Sequence, residues 1–365
     1  MLNNNPVKII KTENWINELK KNIQYLKIYV PLIVTTPGNR KRLNLDSKFN
    51  PKYIFSNISD NPNFKDCDNG IKFCKNNLFD GIIALGGGSA MDLAKVLIAY
   101  LSLRKSDIFE LINYKEPFPK KIPTIFLPTT HGTASEVTMW GTIWNMEQKK
   151  KYSISHPDLY PTIAILDGNL TLTLPLNISI TTVMDALSHS LEAIWNKNAT
   201  EISNTFAIQA ICQIIKDIDK FKNNPSNLEV RTNLLNASTT AGLAFSKTTT
   251  AAAHSMSYPL TIHYKIPHGV ASSITLLPLL EINKKFIKKP LNIICNNLGL
   301  TFYEFKQVVK SIPKDIIPFT LRDWDVPKNQ LNKLSKESFT KGRMDNNIVD
   351  LSENQVLAIF NKVYN

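Results

Sequence analysis

Residues 81–95, GIIALGGGSAMDLAK, read as a strand that runs into three glycines and then a helix. An apolar run this short and without alternation is expected of a strand buried on both faces. Glycines let the backbone approach a ligand closely, and a helix N-terminus adds free N–H groups and the positive end of its dipole. Gly86, Gly87, Gly88 and Ser89 therefore meet the physical needs of a pyrophosphate site, with Asp92 just beyond them. The spacing is not G-x-G-x-x-G, so the standard Rossmann fingerprint does not apply, and a tight structural turn is the alternative.

Working outward, residues 29–35, 124–127 and 162–166 are further short apolar runs with helical stretches between them. That alternation predicts a parallel sheet covered by helices on both faces. The segment PTTHGTASE at 128–136 follows one of these strands. Its hydroxyls, Thr129, Thr130, Thr133 and Ser135, would lie at the carboxyl ends of the strands, where open α/β sheets bind ligands. Lys151, further on, either neutralises a phosphate or belongs to a solvated lysine run.

After Pro175 the strand signals fade and helical patterns take over, at roughly 179–196, 201–221, 228–246, 269–282, 300–312 and 353–363. The expectation is an α/β dinucleotide-binding domain over 1–175 and an all-α, metal-binding domain over 176–365.

Composition narrows the class. Of 365 residues, 43% are hydrophobic and 20% charged, as in a globular chain. The N-terminus has no apolar core of a secretory signal, and no apolar run is long enough to span a bilayer. The four cysteines are scattered without a C-x-x-C pair, which fits thiols in a reducing cytoplasm. The net charge of +13 comes mainly from dispersed lysines without interleaved aromatics. Nucleic acid is therefore not the expected partner; a Lys-rich composition bias explains the charge, with attraction of an anionic cofactor and substrate as the alternative.

The second chemical signal is MDALSHSLEA at 184–193. Asp185 and His189, four apart on a helix, share one face. His254, on an expected helix, and His268, in the turn Pro267-His268-Gly269, supply two more imidazoles. One carboxylate with three neutral imidazoles suits Fe²⁺ or Zn²⁺ far better than Ca²⁺ or Mg²⁺. An Asp-x-x-x-His pair taken alone would be an unremarkable helix surface.

Taken together, GGGS-x-x-D-x-AK, PTT-x-GT-x-SE, Asp185-x-x-x-His189, and His254 with the Pro-His-Gly turn resemble the iron-dependent (group III) alcohol dehydrogenase family in order and spacing over nearly the whole chain. The resemblance implies a dehydroquinate-synthase-like fold, an N-terminal Rossmann-like α/β domain plus a C-terminal helical domain, with NAD(P) and metal in the cleft between them. It carries the metal ligands, and hence the catalytic centre, to Asp185, His189, His254 and His268. It places the cofactor at Gly86, Gly87, Gly88, Ser89 and Asp92, and at Thr129, Thr130, Thr133 and Ser135.

Within that family, residues 137–145 and 191–196 look most like the phosphonoacetaldehyde reductases, which form 2-hydroxyethylphosphonate; core packing is the plainer reading of Trp140, Trp144 and Trp195. The implied function is metal-dependent reduction of a small anionic aldehyde with NADPH or NADH, with a general short-chain alcohol dehydrogenase as the alternative. A cytoplasmic enzyme without membrane or nucleic-acid partners is expected, and a homodimer is an allowed assembly.

Three positions depart from the family pattern. Tyr258 stands where many relatives carry a second histidine, and either donates a hydrogen bond to substrate or packs; His263 nearby is out of register. After strand 29–35 the sequence is TPGNRKR from Thr36. A ribose-binding carboxylate is missing there, and Arg40 or Arg42 is placed to take a 2′-phosphate. His131 replaces a small residue and is expected near the nicotinamide and the substrate's anionic end. Arg343 and Lys265 are candidates for holding a phosphonate.

Overall fold

A computed structural model describes residues 5–365. The chain forms two compact units. Of the described residues, one unit holds 5–130 together with Ala134–Thr173; the other holds Leu174–Asn365 together with His131–Thr133.

The first unit is built on eight strands: β1 Lys8–Lys11, β2 Pro31–Val34, β3 Ile54–Phe55, β4 Gly81–Gly86, β5 Thr124–Pro128, β6 Trp140–Asn145, β7 Lys150–Ser155 and β8 Ile163–Leu166. Six of them form one sheet in the order β1-β8-β5-β4-β2-β3, every pair parallel. The other two, β6 and β7, make an antiparallel ribbon. Five helices belong here: α1 Trp15–Tyr25, α2 Pro37–Arg42, α3 Phe64–Lys75, α4 Gly88–Leu103 and α5 Ile108–Asn113.

Strand residues alternate between two cores. Leu32, Val34, Ile82, Ala84 and Phe126 pack with α3 and α4, while Ile33, Ile83, Leu85, Ile125 and Leu127 pack with Leu19 of α1. Apolar side chains are thus needed on both faces, which is why these strands read as continuous rather than alternating runs. The chain steps from β2 out to β3, then back past β2 to β4 and on to β5. That reversal puts a crevice at the carboxyl ends of β2 and β4, the position where open α/β sheets bind ligands. Thr35 Oγ1 donates to Leu85 O at 2.7 Å and ties the two strand ends together.

The second unit is helical: α6 Leu176–Ile194, α7 Glu201–Asn223, α8 Leu228–Thr248, α9 Ala252–Tyr264, α10 His268–Ala271, α11 Leu276–Asn283, α12 Lys288–Leu298, α13 Phe302–Ser311, α14 Leu331–Glu337 and α15 Glu353–Lys362. Thr200 opens α7 with a capping box through Ser203, and Asn227 caps α8 by accepting from Val230 N. The single helix expected over 269–282 is instead two, α10 and α11, with a turn between them. Ser273 sits at that break and directs its hydroxyl to the local carbonyl of Gly269, which competes with a continuous helix. Strands β1 and β3, the ribbon β6–β7, and helices α12 and α14 lie outside the sequence-based expectations. All four cysteines are buried free thiols. No helix among the described residues is long and apolar enough to cross a membrane.

Candidate active site

Helix α6 carries Asp185 and His189 one turn apart and almost completely enclosed, at 2% and 4% exposure. His254 enters from the first turn of α9, and His268 opens α10. The turn before α10 presses on α6: a Cβ on Gly269 would lie 2.2 Å from Thr181 O, so only glycine permits that approach.

The polar atoms converge. Asp185 Oδ1 is 3.6 Å from His254 Nε2 and 3.7 Å from His268 Nε2, and Asp185 Oδ2 is 4.0 Å from His189 Nδ1. These separations are too long for hydrogen bonds. They approach the roughly 3.0–3.4 Å between neighbouring donors around an ion with bonds of about 2.1 Å. Asp185, His189 and His254 place their donor atoms within 4.8 Å of one another. His189 Nδ1 and His254 Nε2 are buried without any hydrogen-bond partner. Buried polar atoms are seldom left so, and here they face one carboxylate. The donor set therefore fits a divalent cation that accepts nitrogen ligands.

Two side chains outside the expected set support this cluster. Glu192, on α6 one further turn along from His189, reaches His254 Nδ1 with Oε2 at 2.5 Å. Its other oxygen accepts from Ala253 N at 2.6 Å and His254 N at 3.2 Å. Helix α9 has no capping side chain of its own, so the Glu192 carboxylate satisfies its first N–H groups and complements its dipole. With Nδ1–H donated to Glu192, Nε2 is the nitrogen towards Asp185 that would give its lone pair to a cation, on displacement of its proton. Ser272 Oγ donates to Asp185 Oδ1 at 2.8 Å, and Ser188 Oγ donates to Ser272 O at 2.7 Å. Spacing carried a signal for both: Glu192 lies on the Asp185–His189 face and Ser272 falls four residues after His268.

Electrostatics follow from burial and charge. Burial raises the Asp185 carboxyl, but the His189, His268 and His254 imidazoles outweigh it and hold the group well below the usual carboxylate range. Burial brings His189 down to about 4, against the pull of Asp185. For His254 burial also acts downward, but Glu192 and Asp185 overcome it and lift the ring to about 9.

In the α/β unit, Gly86 closes β4 and α4 starts at Gly88. A Cβ on Gly86 would come within 2.6 Å of Ala90 Cβ, so a side chain there would push the turn open. Thr129 N donates to Gly86 O, and Thr129 Oγ1 accepts from Asn39 Nδ2 at 3.2 Å. Arg42 grips Asn39 Oδ1 from the other side at 2.7 Å, so Arg42 braces the turn. Ser89 Oγ donates to Asp60 O. Thr36 caps α2 by accepting from Asn39 N. Arg40 is held by Asp46, with contacts of 2.6–3.2 Å, and by Ser56 Oγ at 3.2 Å.

Asp92 and Ser135 meet in a closed network. Asp92 Oδ1 accepts from Ser135 Oγ at 2.8 Å and Oδ2 from Thr142 N at 2.9 Å. Lys95, 0% exposed, donates to Ser135 O, Ser135 Oγ, Thr138 Oγ1 and Trp140 O, all at 2.6–2.9 Å. Burial lowers its pKa to about 8, against the raising effect of Asp92 and Glu136. Burial raises the Asp92 pKa, opposed first by the Lys95 charge and least by that of Lys151 on β7.

Thr130 packs in the α/β unit, whereas Thr133 groups with the helical one. His131 does so too: its ring is 0% exposed and edge-on to Phe221 at 6.0 Å, with neither ring nitrogen hydrogen-bonded. Burial, then the Arg231 charge, pushes its pKa down to about 3, so the ring is a neutral imidazole. Tyr258 lies half-buried one turn beyond His254. His263 Nε2 pairs with Glu337 at 2.7 Å. Lys265 is exposed at the end of α9, and Arg343 donates to Gly342 O at 2.6 Å.

Residues 6–168 match the family model described as iron-containing alcohol dehydrogenase. Residues 179–364 match that of the Fe-containing alcohol dehydrogenase family, C-terminal. The chain belongs to the iron-containing alcohol dehydrogenase family. It is an oxidoreductase with that family's fold, the dehydroquinate-synthase-like pairing of a parallel α/β sheet domain with a helical one. Long-chain-alcohol dehydrogenase 1 of Geobacillus thermodenitrificans is 30% identical over 305 residues, 80% of this chain and 76% of that protein. A solved 1,3-propanediol oxidoreductase superposes with a TM-score of 0.89 at 26% identity, covering 98% of both chains. Sulfoacetaldehyde reductase from Bifidobacterium kashiwanohense, solved with NAD⁺, also gives 0.89, at 27% identity over 98% of this chain and 97% of that one.

Proposed function

We propose that this family member reduces phosphonoacetaldehyde to 2-hydroxyethylphosphonate with NADPH or NADH, using an Fe²⁺ or Zn²⁺ ion held by Asp185, His189, His254 and His268. The observation that carries the metal-dependent chemistry is the pair of buried, unbonded ring nitrogens on His189 and His254 facing Asp185. An ion at such a set supplies Lewis-acid polarisation of a carbonyl oxygen, and a nicotinamide supplies hydride. Glu192 fixes the His254 tautomer, and Ser272 orients Asp185. His268 is the most exposed of the four, at 31%, and so marks the side from which an aldehyde approaches. Gly86, Gly87, Gly88, Ser89, Thr129 and Thr130 would take the dinucleotide, with Asn39 and Arg42 bracing them.

The choice of substrate rests on the likeness at residues 137–145 and 191–196. It is supported by the structural similarity to a sulfoacetaldehyde reductase, whose named substrate is also a two-carbon aldehyde with an anionic end. A net charge of +13 suits such a substrate electrostatically. The similarity to a long-chain-alcohol dehydrogenase favours a second reading, an uncharged alcohol or aldehyde. NADPH oxidation by the Fe²⁺-loaded protein, followed with phosphonoacetaldehyde, sulfoacetaldehyde and butanal, separates the two. A kcat/KM at least a hundredfold higher for phosphonoacetaldehyde than for butanal is expected, and equal values would establish the second reading instead.

A further inference from the structure

Thr249, between α8 and α9, has φ +62° and ψ −174°. That region of backbone space is essentially reserved for glycine, and a β-branched residue persists there only when its surroundings enforce it. The enforcement is visible. Asn346 Nδ2 lies 2.8 Å from Thr249 Oγ1, 2.9 Å from Thr250 O and 2.8 Å from Gly342 O. Thr249 O accepts from Asn196 Nδ2 at 3.3 Å and Thr248 Oγ1 at 2.9 Å.

The segment carrying Asn346 holds two of the three helices of the cation site, α6 and α9. Lys197 N donates to Asn346 O and Ile348 N to Trp195 O, both at 2.8 Å, which fixes the strap to the end of α6. Thr340 N donates to Ser255 Oγ at 3.0 Å, and Ser255 Oγ donates to Ser338 O, which fixes it to the residue after His254. The forced turn at Thr249 delivers the start of α9 to Glu192, where Ala253 N and His254 N are bonded. A relaxed Thr249 would swing that helix start, and His254 with it, away from Asp185.

We propose that Asn346 is a positioning residue for the cation site: by clamping Thr249 in a glycine-type conformation it sets where His254 Nε2 lies relative to Asp185. Asn346 touches no cation ligand and acts through the turn. The inference rests on the assignment of Asp185, His189, His254 and His268 as a cation site.

The test is a double-substitution cycle of Asn346→Ala and Thr249→Gly, read by Co²⁺ titration and the visible absorption of bound Co²⁺, at a temperature well below each variant's Tm. Asn346→Ala should weaken Co²⁺ binding at least tenfold and alter the spectrum. In the Thr249→Gly background, where glycine holds the turn without a clamp, the same substitution should cost threefold or less. An equal cost in both backgrounds, or an unchanged affinity and spectrum in Asn346→Ala, overturns the role. If Asn346→Ala does not fold but the double variant folds and binds Co²⁺ within threefold of Thr249→Gly, the role stands; if the double variant also fails to fold, Asn346 supports the whole unit and the proposal is wrong. Asn63→Ala, which removes the cap of α3 in the other unit, is the control expected to lower Tm without moving Co²⁺ binding. Unmodified protein that takes up no Co²⁺ would instead remove the cation site itself.

Discussion

Lys95 in the α/β unit and His254 in the helical unit are enclosed to nearly the same degree, at 0% and 3% exposure. Their polar atoms meet different surroundings. Around Lys95 four oxygens accept from one ammonium, and both oxygens of Asp92 accept from neighbours. Around Asp185, by contrast, His189 Nδ1 and His254 Nε2 have no partner. Leaving one buried polar atom unsatisfied costs about 1–3 kcal/mol. Here the two unpartnered nitrogens converge on a single carboxylate, the arrangement that a cation satisfies. The complete network is a support, and the incomplete one is a receptor.

Removing the centre of the receptor should give the largest effect. Asp185→Asn keeps the shape and removes the charge that all three imidazoles face. Lewis-acid stabilisation is worth several kcal/mol, so kcat/KM should fall by about 10³-fold or more. Metal analysis should find the variant without iron, while fluorescence titration finds NADPH binding retained. An active, iron-loaded Asp185→Asn protein would break the contrast. Glu192→Gln should be milder, because the ring loses its charged partner but keeps a hydrogen-bonding one. Metal affinity is expected to fall by about 10–100-fold, measured against a competing chelator.

The supporting network predicts a different signature. Lys95→Met leaves Asp92 and Glu136 buried without their cation, which should cost on the order of 3–5 kcal/mol in denaturant unfolding. Metal content of the folded protein should not change. The pH dependence has a definite sign. Burial first, opposed by Asp92 and Glu136, holds Lys95 at about 8 in the folded state against 10.5 for an ordinary lysine. Between those values the unfolded chain binds a proton that the folded chain has lost, so stability from this group rises as pH increases from about 8 to 10.5; below pH 8 the full burial cost is present. The difference in unfolding free energy between the unaltered protein and Lys95→Met should therefore grow by a few kcal/mol at most over that window. A flat difference would show that Lys95 is not buried as a charge.

The legible parts of this molecule were those with local periodicity. Residues 81–85, 124–127 and 162–166 announced buried parallel strands because both faces need apolar side chains. Asp185 and His189 announced a shared face by their spacing. His254 was legible on a helix even though α9 carries Pro259 in its interior. Glu192 obeys the same periodicity, but a carboxylate on a helix face is common, and only the approach of α9 distinguishes it. Lys95 stood in the glycine motif, yet nothing local marks a lysine for burial. Asn346 gives no local signal at all, because its role depends on a turn at Thr249 that is distant in sequence. The ribbon of β6 and β7 escaped notice because Trp140, Gly141 and Trp144 do not alternate cleanly with polar residues, and β7 opens on two lysines, Lys150 and Lys151.

The smallest expected effect asks whether a satisfied pair at the edge of the crevice proposed for the dinucleotide is support or receptor. Arg40 stands beyond Thr36, where a ribose-binding carboxylate is absent, and Asp46 engages its guanidinium through Nε and a terminal nitrogen. The pair is partly open, with side chains 29% and 51% exposed, so solvent screens it and little is needed to redirect the arginine. A 2′-phosphate carries more charge than Asp46 and accepts the same fork of N–H groups. If Arg40 is a receptor, Asp46→Asn lowers KM for NADPH relative to NADH, by about threefold on the scale of exposed pairs. Arg40→Asp, which places a carboxylate where the phosphate would sit, moves the ratio the other way. If the two substitutions leave the NADPH-to-NADH ratio of kcat/KM unchanged, Arg40 belongs with Lys95 among the supports, and the cofactor choice is made by other residues of the crevice.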